Sequence, residues 1–265
     1  MPTMNNGFNA GCTLSSLKQL KSIITAIYQV VQEANIEFTD EGFKIMSLDA
    51  AHVCIIEFNM HASSFEHFYC KKNVVVGMKL EQLTKVLKIG NPNKSVSILI
   101  DVDDNFHIQM FIANTPQMSG FEIATIEIHE DRLTEIDMPE EIKVNVDGEW
   151  LSDVITGINS VSDNVNIYSE SEKKIIYFKY ENVEGKATIP CAIENKEDGC
   201  IIEEDLRYSF STKYLLNFMK GVQLSNTFQQ KIILQLAIER PLLLICKIDD
   251  VSYIKYYLAA KIENE

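Results

Sequence analysis

Lysines that recur at helical spacing are the residues of this sequence best suited to binding a ligand. They lie opposite the apolar residues of three segments whose three- and four-residue periodicity predicts amphipathic helices. The pairs are Lys18 with Lys21, Lys85 with Lys88, and Lys213 with Lys220. Ammonium groups gathered on exposed helix faces can bind phosphates without reading a base sequence. The spacing therefore indicates a phosphate-binding surface. The alternative is that these lysines are ordinary solvated helix residues.

Patterns typical of catalysis, metal binding or cofactor binding are scarce. The sequence contains no G-x-x-x-x-G-K-[ST], G-x-G-x-x-G, H-E-x-x-H or G-x-S-x-G motif. The run that begins at Asp101 resembles the start of a calcium loop, but Phe106 replaces the required glycine and Ile112 the closing glutamate, which favours a hairpin turn. The five histidines lack metal-ligand spacing. We therefore expect no enzymatic activity, no metal site and no cofactor.

The charge balance narrows the ligands that the chain can bind. It has 38 acidic and 24 basic residues, for a formal net charge of -14, and 46% hydrophobic residues, which is typical of a soluble globular protein. Such a chain repels nucleic acid unless its cations are gathered in one place. Only three cations are arginines, which argues against readout of base sequence. Charged residues interrupt the longest apolar stretch, residues 232–248, so no membrane association is expected.

The lysine-bearing helices belong to a pattern that occurs four times: an amphipathic helical segment, then strands of period two bounded by turns. The repeats begin near Leu17, Leu80, Trp150 and Tyr214, at spacings of 63, 70 and 64 residues. They pair into two halves, between which an acidic segment lies. The pattern predicts an α+β fold with helices covering one face of antiparallel sheets. We expect a first domain at residues 1–126, a connector at 127–142 and a second domain at 143–265.

Two longer motifs carry a family resemblance. The run Ser47 to Val53, S-L-D-A-A-H-V, is similar to the S-M-D-S-S-H-V of the proliferating cell nuclear antigen family, the eukaryotic DNA sliding clamps. The run Tyr256 to Glu263 is similar to the family's closing Y-Y-L-A-P-K-I-E, with Ala260 in place of proline. Shorter matches lie between them in order, so that the resemblance covers residues 12–265.

The resemblance implies a ring-shaped homotrimer of two-domain subunits, with helices lining a central channel and sheets outside. Such a clamp encircles double-stranded DNA without sequence preference. It acts as a processivity factor that tethers DNA polymerase and other replication and repair proteins bearing clamp-binding peptide motifs. An ATPase clamp loader opens and closes it. The resemblance further implies the nucleus, or a viral replication compartment if the source is a virus.

The resemblance also assigns DNA-binding positions. Basic channel positions of the family match Lys21, Lys72, Lys85, Lys88, Lys213 and Lys220, and we add Lys18 from its place on the first helix. The third helix departs from the family pattern, because Ser152 and Ile155 stand where the family has arginines. Its polar positions Asp153, Thr156 and Asn159 offer no cation either.

A partner-peptide pocket is implied beneath the connector. Its matching positions are Leu48, His52, Val53, Ile136, Met138, Pro139, Pro241, Tyr257, Ala259, Ala260, Lys261 and Ile262. The pocket accounts for an apolar C-terminal tail that is otherwise either buried in the core or a patch for a partner. It would hold an aromatic or aliphatic anchor, and the surrounding acids favour basic residues beside that anchor.

Subunit contacts in the family join one strand of each domain. The corresponding residues here are Gln117, Gly120, Phe121, Ile123, Lys186, Thr188 and Ile189. Ala260 and the third helix without cations keep open an alternative, a subunit of a specialised heterotrimeric or checkpoint clamp. An acidic binding scaffold that does not bind DNA is a further alternative.

Overall fold

The computed structural model describes residues 8–101, 107–113, 118–129, 133–134, 136–191, 200–227 and 232–262. The chain divides into two compact units. Unit 1 comprises residues 1–47 and 57–133, and unit 2 comprises residues 48–56 and 134–265. Within the described ranges, no helix is both long and apolar enough to span a membrane.

Unit 1 contains two helices and two antiparallel sheets. The elements are β1 (Ala10–Leu14), α1 (Leu17–Tyr28), β2 (Glu33–Thr39), β3 (Gly42–Leu48), β4 (Cys54–His61), β5 (His67–Cys70), β6 (Val74–Lys79), α2 (Leu80–Val86), β7 (Val96–Ile100), β8 (His107–Ala113) and β9 (Met118–Ala124). The first sheet has the strand order β5-β1-β7-β8-β9, and β4, β3, β2 and β6 are neighbours in that order in the second. Leu48 of β3 and the first three residues of β4 belong to unit 2.

The described residues of unit 2, like those of unit 1, form two α-helices and nine strands. They are β10 (Ile142–Val146), α3 (Gly148–Asn159), β11 (Asn164–Glu170), β12 (Ile175–Asn182), β13 (Gly185–Pro190), β14 (Ile201–Ile202), β15 (Arg207–Ser211), α4 (Thr212–Thr227), β16 (Ile232–Leu236), β17 (Leu242–Lys247) and β18 (Tyr253–Leu258). One sheet has the order β14-β10-β16-β17-β18, with β18 beside the start of β4, and the other has the order β13-β12-β11-β15. The expected α+β fold of repeated helix and antiparallel-strand segments is confirmed.

The helices α1 and α3 begin at side-chain caps, and each buries one apolar stripe. The Ser16 hydroxyl accepts a hydrogen bond from the Gln19 N–H at the start of α1, and the Asp147 carboxylate accepts one from the Trp150 N–H at the start of α3. Buried residues of α1 recur at three- and four-residue steps. They are Leu17, Leu20, Ile23, Ile24, Ala26 and Ile27. Because this stripe packs inward, the polar side of each helix faces solvent.

A hairpin turn is expected after Asp101, between β7 and β8. These strands pair antiparallel, with Ile100 opposite Ile108. The turn itself falls at residues 102–106, outside the described residues.

Close packing of α4 on β18 fixes the strand that precedes the C-terminal tail. The Tyr256 ring is fully buried and stacks on Phe218, with 4.4 Å between ring centroids and 14° between ring planes. Gly221 of α4 permits this approach, since a Cβ atom there would lie 2.3 Å from the Tyr256 hydroxyl. That hydroxyl has no hydrogen-bond partner among the described residues.

We expect Gly221→Ala to destabilise the protein by about 1–3 kcal/mol, because the added methyl group has no room against Tyr256. Gly157→Ala in α3 is the matched control, since nothing lies within 4 Å of its added Cβ, and it should stabilise the protein by up to about 1 kcal/mol. Urea unfolding measures both. Adding Tyr256→Phe should partly rescue the first variant. Equal stability of the two alanine variants would contradict a tight contact between α4 and β18.

Candidate functional site

Five of the predicted DNA-binding lysines belong to unit 1. Lys18 is exposed and Lys21 half-exposed on the polar side of α1, and Lys72 is exposed between β5 and β6. Lys85 and Lys88 are exposed at the end of α2 and in the turn that follows it. The Lys88 N–H donates to the Lys85 carbonyl at 3.2 Å, which continues the helical path and keeps the two side chains on one side. The packing of α1 on α2 brings the four helix lysines onto one helix pair.

Lys85 is partly neutralised by its own helix. Its Nζ lies 2.8 Å from Glu81 Oε1, one turn earlier. The hydrogen bond to Glu81, reinforced by the attraction of its charge, raises the pKa of Lys85. Lys85 therefore stays protonated at neutral pH, and a phosphate that binds it must compete with Glu81.

Of the two α-helices described in unit 2, only α4 carries cations. Lys213 and Lys220 are both exposed and stand seven residues, about two turns, apart, so they share one side of the helix. The helix α3 packs against α4 but contains no lysine or arginine. Its exposed positions include Glu149, Asp153 and Thr156.

The two α3 positions at which the family has arginines differ in exposure in this chain. Ile155 is 0% exposed and belongs to the buried stripe of α3. In this chain the Ile155 side chain therefore cannot contact a phosphate. Ser152 is half-exposed, and the outward positions of this helix are Asp153 and Thr156.

An open cavity of about 380 Å³ lies in unit 2. Eight of the residues that the sequence places in a partner pocket line it, namely Leu48, His52, Val53, Ile136, Pro241, Tyr257, Ala259 and Ala260. Four others are not among its lining residues: Met138 and Pro139 are half-buried, and Lys261 and Ile262 are exposed. The lining is mainly apolar and would accommodate a hydrophobic anchor.

Sequence reasoning missed four lining residues, Ile55, Tyr208, Glu239 and Arg240. Ile55 follows Val53 at the two-residue step of a strand, which could have indicated it. Glu239 and Arg240 directly precede Pro241, which the sequence places in the pocket. Their position next to Pro241 could have indicated them. Nothing near Tyr208 in the sequence points to this cavity.

The Asp49 carboxylate holds the first wall of the cavity, the Leu48–Ile56 segment. It accepts hydrogen bonds from the N–H groups of Ala51 at 3.1 Å, Val53 at 2.8 Å and Cys54 at 2.7 Å, and from the Tyr214 hydroxyl at 2.6 Å. Asp49 is only 5% exposed. These bonds fix a loop in which His52 has a φ of 60°, a left-handed conformation that costs energy for a residue with a side chain.

The electrostatics of Asp49 and Tyr214 follow from this contact. Burial acts to raise the pKa of Asp49, but the hydrogen bonds from Tyr214 and the three amides outweigh it, so the pKa is lowered. Burial and the bond to the Asp49 carboxylate raise the pKa of Tyr214 to about 12. The phenol therefore remains a donor and the carboxylate an acceptor throughout the neutral range.

The second wall of the cavity is the turn between β16 and β17. The Ile238 N–H donates to Glu141 Oε2 at 2.7 Å, and the Glu239 N–H donates to the Tyr208 hydroxyl at 3.0 Å. Glu239 has a φ of 55°, also left-handed. The turn is therefore held by side chains from two other parts of unit 2, in a conformation that costs energy at Glu239.

The C-terminal tail completes the cavity. The residues Tyr256 to Leu258 are buried, whereas Ala259 is exposed and Ile262 is 90% exposed. The Ala259 N–H donates to the Val53 carbonyl at 2.9 Å, and the Lys261 N–H donates to the Ser209 carbonyl at 2.7 Å. The segment was expected to be either buried in the core or exposed as a patch for a partner. Each holds in part, since its strand lies in the core and the residues after the strand lie at the surface.

The strands predicted to join subunits are edge strands. Among the described residues, β9 pairs only with β8, and β13 only with β12. Of the predicted contact residues, Gly120, Lys186 and Thr188 are exposed, Phe121 and Ile189 are half-exposed, and Ile123 is buried. Gln117 lies outside the described residues. An unpaired strand edge can accept a strand from another chain.

Two α+β units of repeated architecture, with a helix pair in each and an apolar cavity in the second, define the fold of a DNA sliding clamp. A family model described as the N-terminal domain of proliferating cell nuclear antigen matches residues 11–134, and one described as its C-terminal domain matches residues 141–261. The chain therefore belongs to the proliferating cell nuclear antigen family, whose members are non-enzymatic clamps of DNA replication and repair. Membership implies binding to DNA and to DNA polymerase.

Curated relatives match nearly the whole chain. The proliferating cell nuclear antigen of Chaetomium thermophilum is 26% identical over 253 residues, covering 93% of this chain and 95% of that protein. Proliferating cell nuclear antigen 2 of Drosophila melanogaster is 25% identical over 253 residues, covering 95% of this chain and 97% of that protein.

We expect Asp49→Asn to destabilise the protein by about 1–3 kcal/mol at pH 7, because the amide cannot accept all four hydrogen bonds. The folded-state pKa of Asp49 lies below its unfolded value, so its contribution is complete above about pH 4 and is lost as the pH falls through the folded-state pKa. Urea unfolding at several pH values should therefore show the gap to the parent closing in acid. Asp153→Asn on exposed α3 is the control, and a gap for Asp49→Asn that does not depend on pH would refute this account.

Proposed function

We propose that the chain is a homotrimeric sliding clamp that encircles duplex DNA and serves as a processivity factor for DNA polymerase and other replication and repair proteins. The observation that carries this proposal is the match of both family domains to the two halves of the chain. Its site of action is the nucleus, or a viral replication compartment if the source is a virus. An ATPase clamp loader would place it on DNA.

The lysines on α1, α2 and α4, with Lys72, would form the DNA track. Because lysine binds a phosphate as a flexible point charge, one phosphate can be exchanged for the next at little cost. Such contacts carry no sequence information, so the clamp would slide. The outward acids of α3 would weaken the track at that helix.

The cavity in unit 2 would hold the anchor of a partner peptide. Its lining combines apolar side chains such as Val53, Ile136 and Pro241 with a rigid loop and a rigid turn. A preformed cavity favours binding because little order must be created when the peptide docks. Met138, Pro139, Lys261 and Ile262 would contact the peptide outside the anchor, as the resemblance implies.

The edge strands β9 and β13 would join neighbouring subunits, β9 of one to β13 of the next. This head-to-tail pairing joins two different surfaces and closes into a ring. The domain limits at residues 1–126 and 143–265, with a connector between them, are part of the same proposal.

A specialised heterotrimeric or checkpoint clamp is the second candidate. The observation that favours it is α3, whose exposed positions include two acids and no cation, unlike the other helices. A ring in which other chains supply the missing cations would have a more complete track than three copies of this chain.

Sedimentation equilibrium of the full chain distinguishes the two candidates. A homotrimer should give a particle of three times the 30.2 kDa chain mass, independent of concentration over the micromolar range. A monomer that reaches this size only with other clamp subunits would favour the specialised ring. Retention on circular but not linear DNA after loading would exclude a scaffold that does not bind DNA.

Replacing Lys21, Lys85, Lys88 and Lys220 by alanine should weaken binding to duplex DNA and reduce its dependence on salt. Each lost lysine–phosphate contact should lower the slope of log K against log salt concentration by about 0.9. Fluorescence anisotropy with labelled duplex at several salt concentrations measures the slope. The control replaces four lysines of strands and turns, Lys44, Lys173, Lys247 and Lys255, which makes the same change in net charge. Equal slopes for the two variants would remove the helix lysines from the track.

A further inference from the structure

The turn between β16 and β17 brings an arginine to the edge of a mainly apolar cavity. Arg240 lines the cavity beside Glu239 and Pro241, and its side chain is exposed. No residue in the described part of the chain forms an ion pair with Arg240, and Glu239 forms none either. The guanidinium is thus available to a ligand that enters the cavity.

The position of Arg240 is set by its backbone. The Arg240 N–H donates to the Ala237 carbonyl at 3.3 Å, and the two preceding residues donate to Glu141 and Tyr208. The following residue is Pro241, whose ring restricts the chain further. A held turn keeps the Arg240 backbone at the same place for every peptide, so the guanidinium can reach only one part of the cavity edge.

Docking of an apolar anchor changes the surroundings of this charge. A peptide that fills the cavity covers Val53, Pro241 and Ala259 and removes water from the cavity edge. A guanidinium that loses water without gaining a partner opposes binding, whereas a carboxylate can bind it through two parallel N–H···O bonds. A carboxylate beside the anchor therefore turns an unfavourable contact into a favourable one.

The net charge of the chain acts on a peptide differently from the local contact with Arg240. With a formal charge of -14, the protein as a whole repels acidic peptides and attracts basic ones. The net negative charge of the protein attracts basic residues at long range, wherever they stand beside the anchor. The Arg240 guanidinium, in contrast, attracts a carboxylate only within hydrogen-bond distance. The two effects therefore select for different features of one peptide.

We propose that Arg240 determines specificity, favouring partner peptides that place an Asp or Glu carboxylate directly beside the apolar anchor. This inference rests on the proposed peptide-binding function of the cavity. Basic residues farther from the anchor remain compatible with it.

The test uses the full chain and short fluorescein-labelled peptides with a Leu-Phe-Phe anchor. One Asp, or Asn as its neutral isostere, occupies in turn each position that flanks the anchor. Affinities are measured by anisotropy for the parent, Arg240→Gln, Lys173→Gln and Val53→Asn. Lys173→Gln makes the same change in net charge in the exposed turn between β11 and β12, and Val53→Asn adds polarity to the cavity lining without changing the charge of Arg240.

At one flanking position the parent should bind the Asp peptide about three- to tenfold more tightly than the Asn peptide. Arg240→Gln should abolish this preference, Lys173→Gln should retain it, and Val53→Asn should weaken the binding of both peptides about equally. Equal affinity for Asp and Asn peptides at every position in the parent would overturn the role of Arg240 and leave the cavity's function intact. A preference that survives in Arg240→Gln would also overturn it, since another side chain would then be responsible. Absence of binding by every peptide would overturn the cavity's function together with the inference.

Discussion

Burial of one apolar stripe on each helix is the constraint on which the arrangement of charge depends. In α1 the side chains of Leu20, Ile24 and Ile27 are at most 2% exposed, so the residues between them must face solvent. Lys18 and Lys21 occupy these outward positions. The same rule applied to α3 turns Asp153 outward. Packing thus decides where a side chain lies, and the residue type at the outward positions decides whether a helix attracts or repels phosphate.

The conformation of the cavity depends on buried polar groups rather than on its apolar lining. Asp49 takes up hydrogen bonds from three backbone amides and one phenol, so a loop with a left-handed residue at His52 is held without help from a ligand. Glu141 and Tyr208 do the same for the turn at Glu239. A carboxylate that is 5% exposed would be costly without these partners. Both strained residues line the cavity, which is where such strain is commonly retained.

Much of the fold could be predicted from the sequence, because periodicities of 3.6 and 2 reflect burial directly. The cavity could be predicted where its residues fall in two motifs, around His52 and around Ala259. Tyr208 could not be predicted, because its contact with the turn at Glu239 depends on where β15 and β16 lie in the folded structure. The burial of Ile155 could not be predicted from its place in a family motif, because spacing within a motif does not give the rotation of a helix about its axis. Its neighbours in space fix that rotation, and they bury it completely.

An acidic chain can bind two kinds of anionic group only by local placement of its cations. Averaged over the surface, a net charge of -14 disfavours phosphate and carboxylate alike, so neither is recognised at long range. Lysines on helices suit an array of phosphates because each ammonium is mobile and interchangeable. Arg240 is the opposite case, a planar donor on a turn whose backbone is held at adjacent residues. The first arrangement tolerates movement of the ligand and the second resists it. The proposed functions require this difference, since DNA must slide past the helices while a tethered partner stays in the cavity.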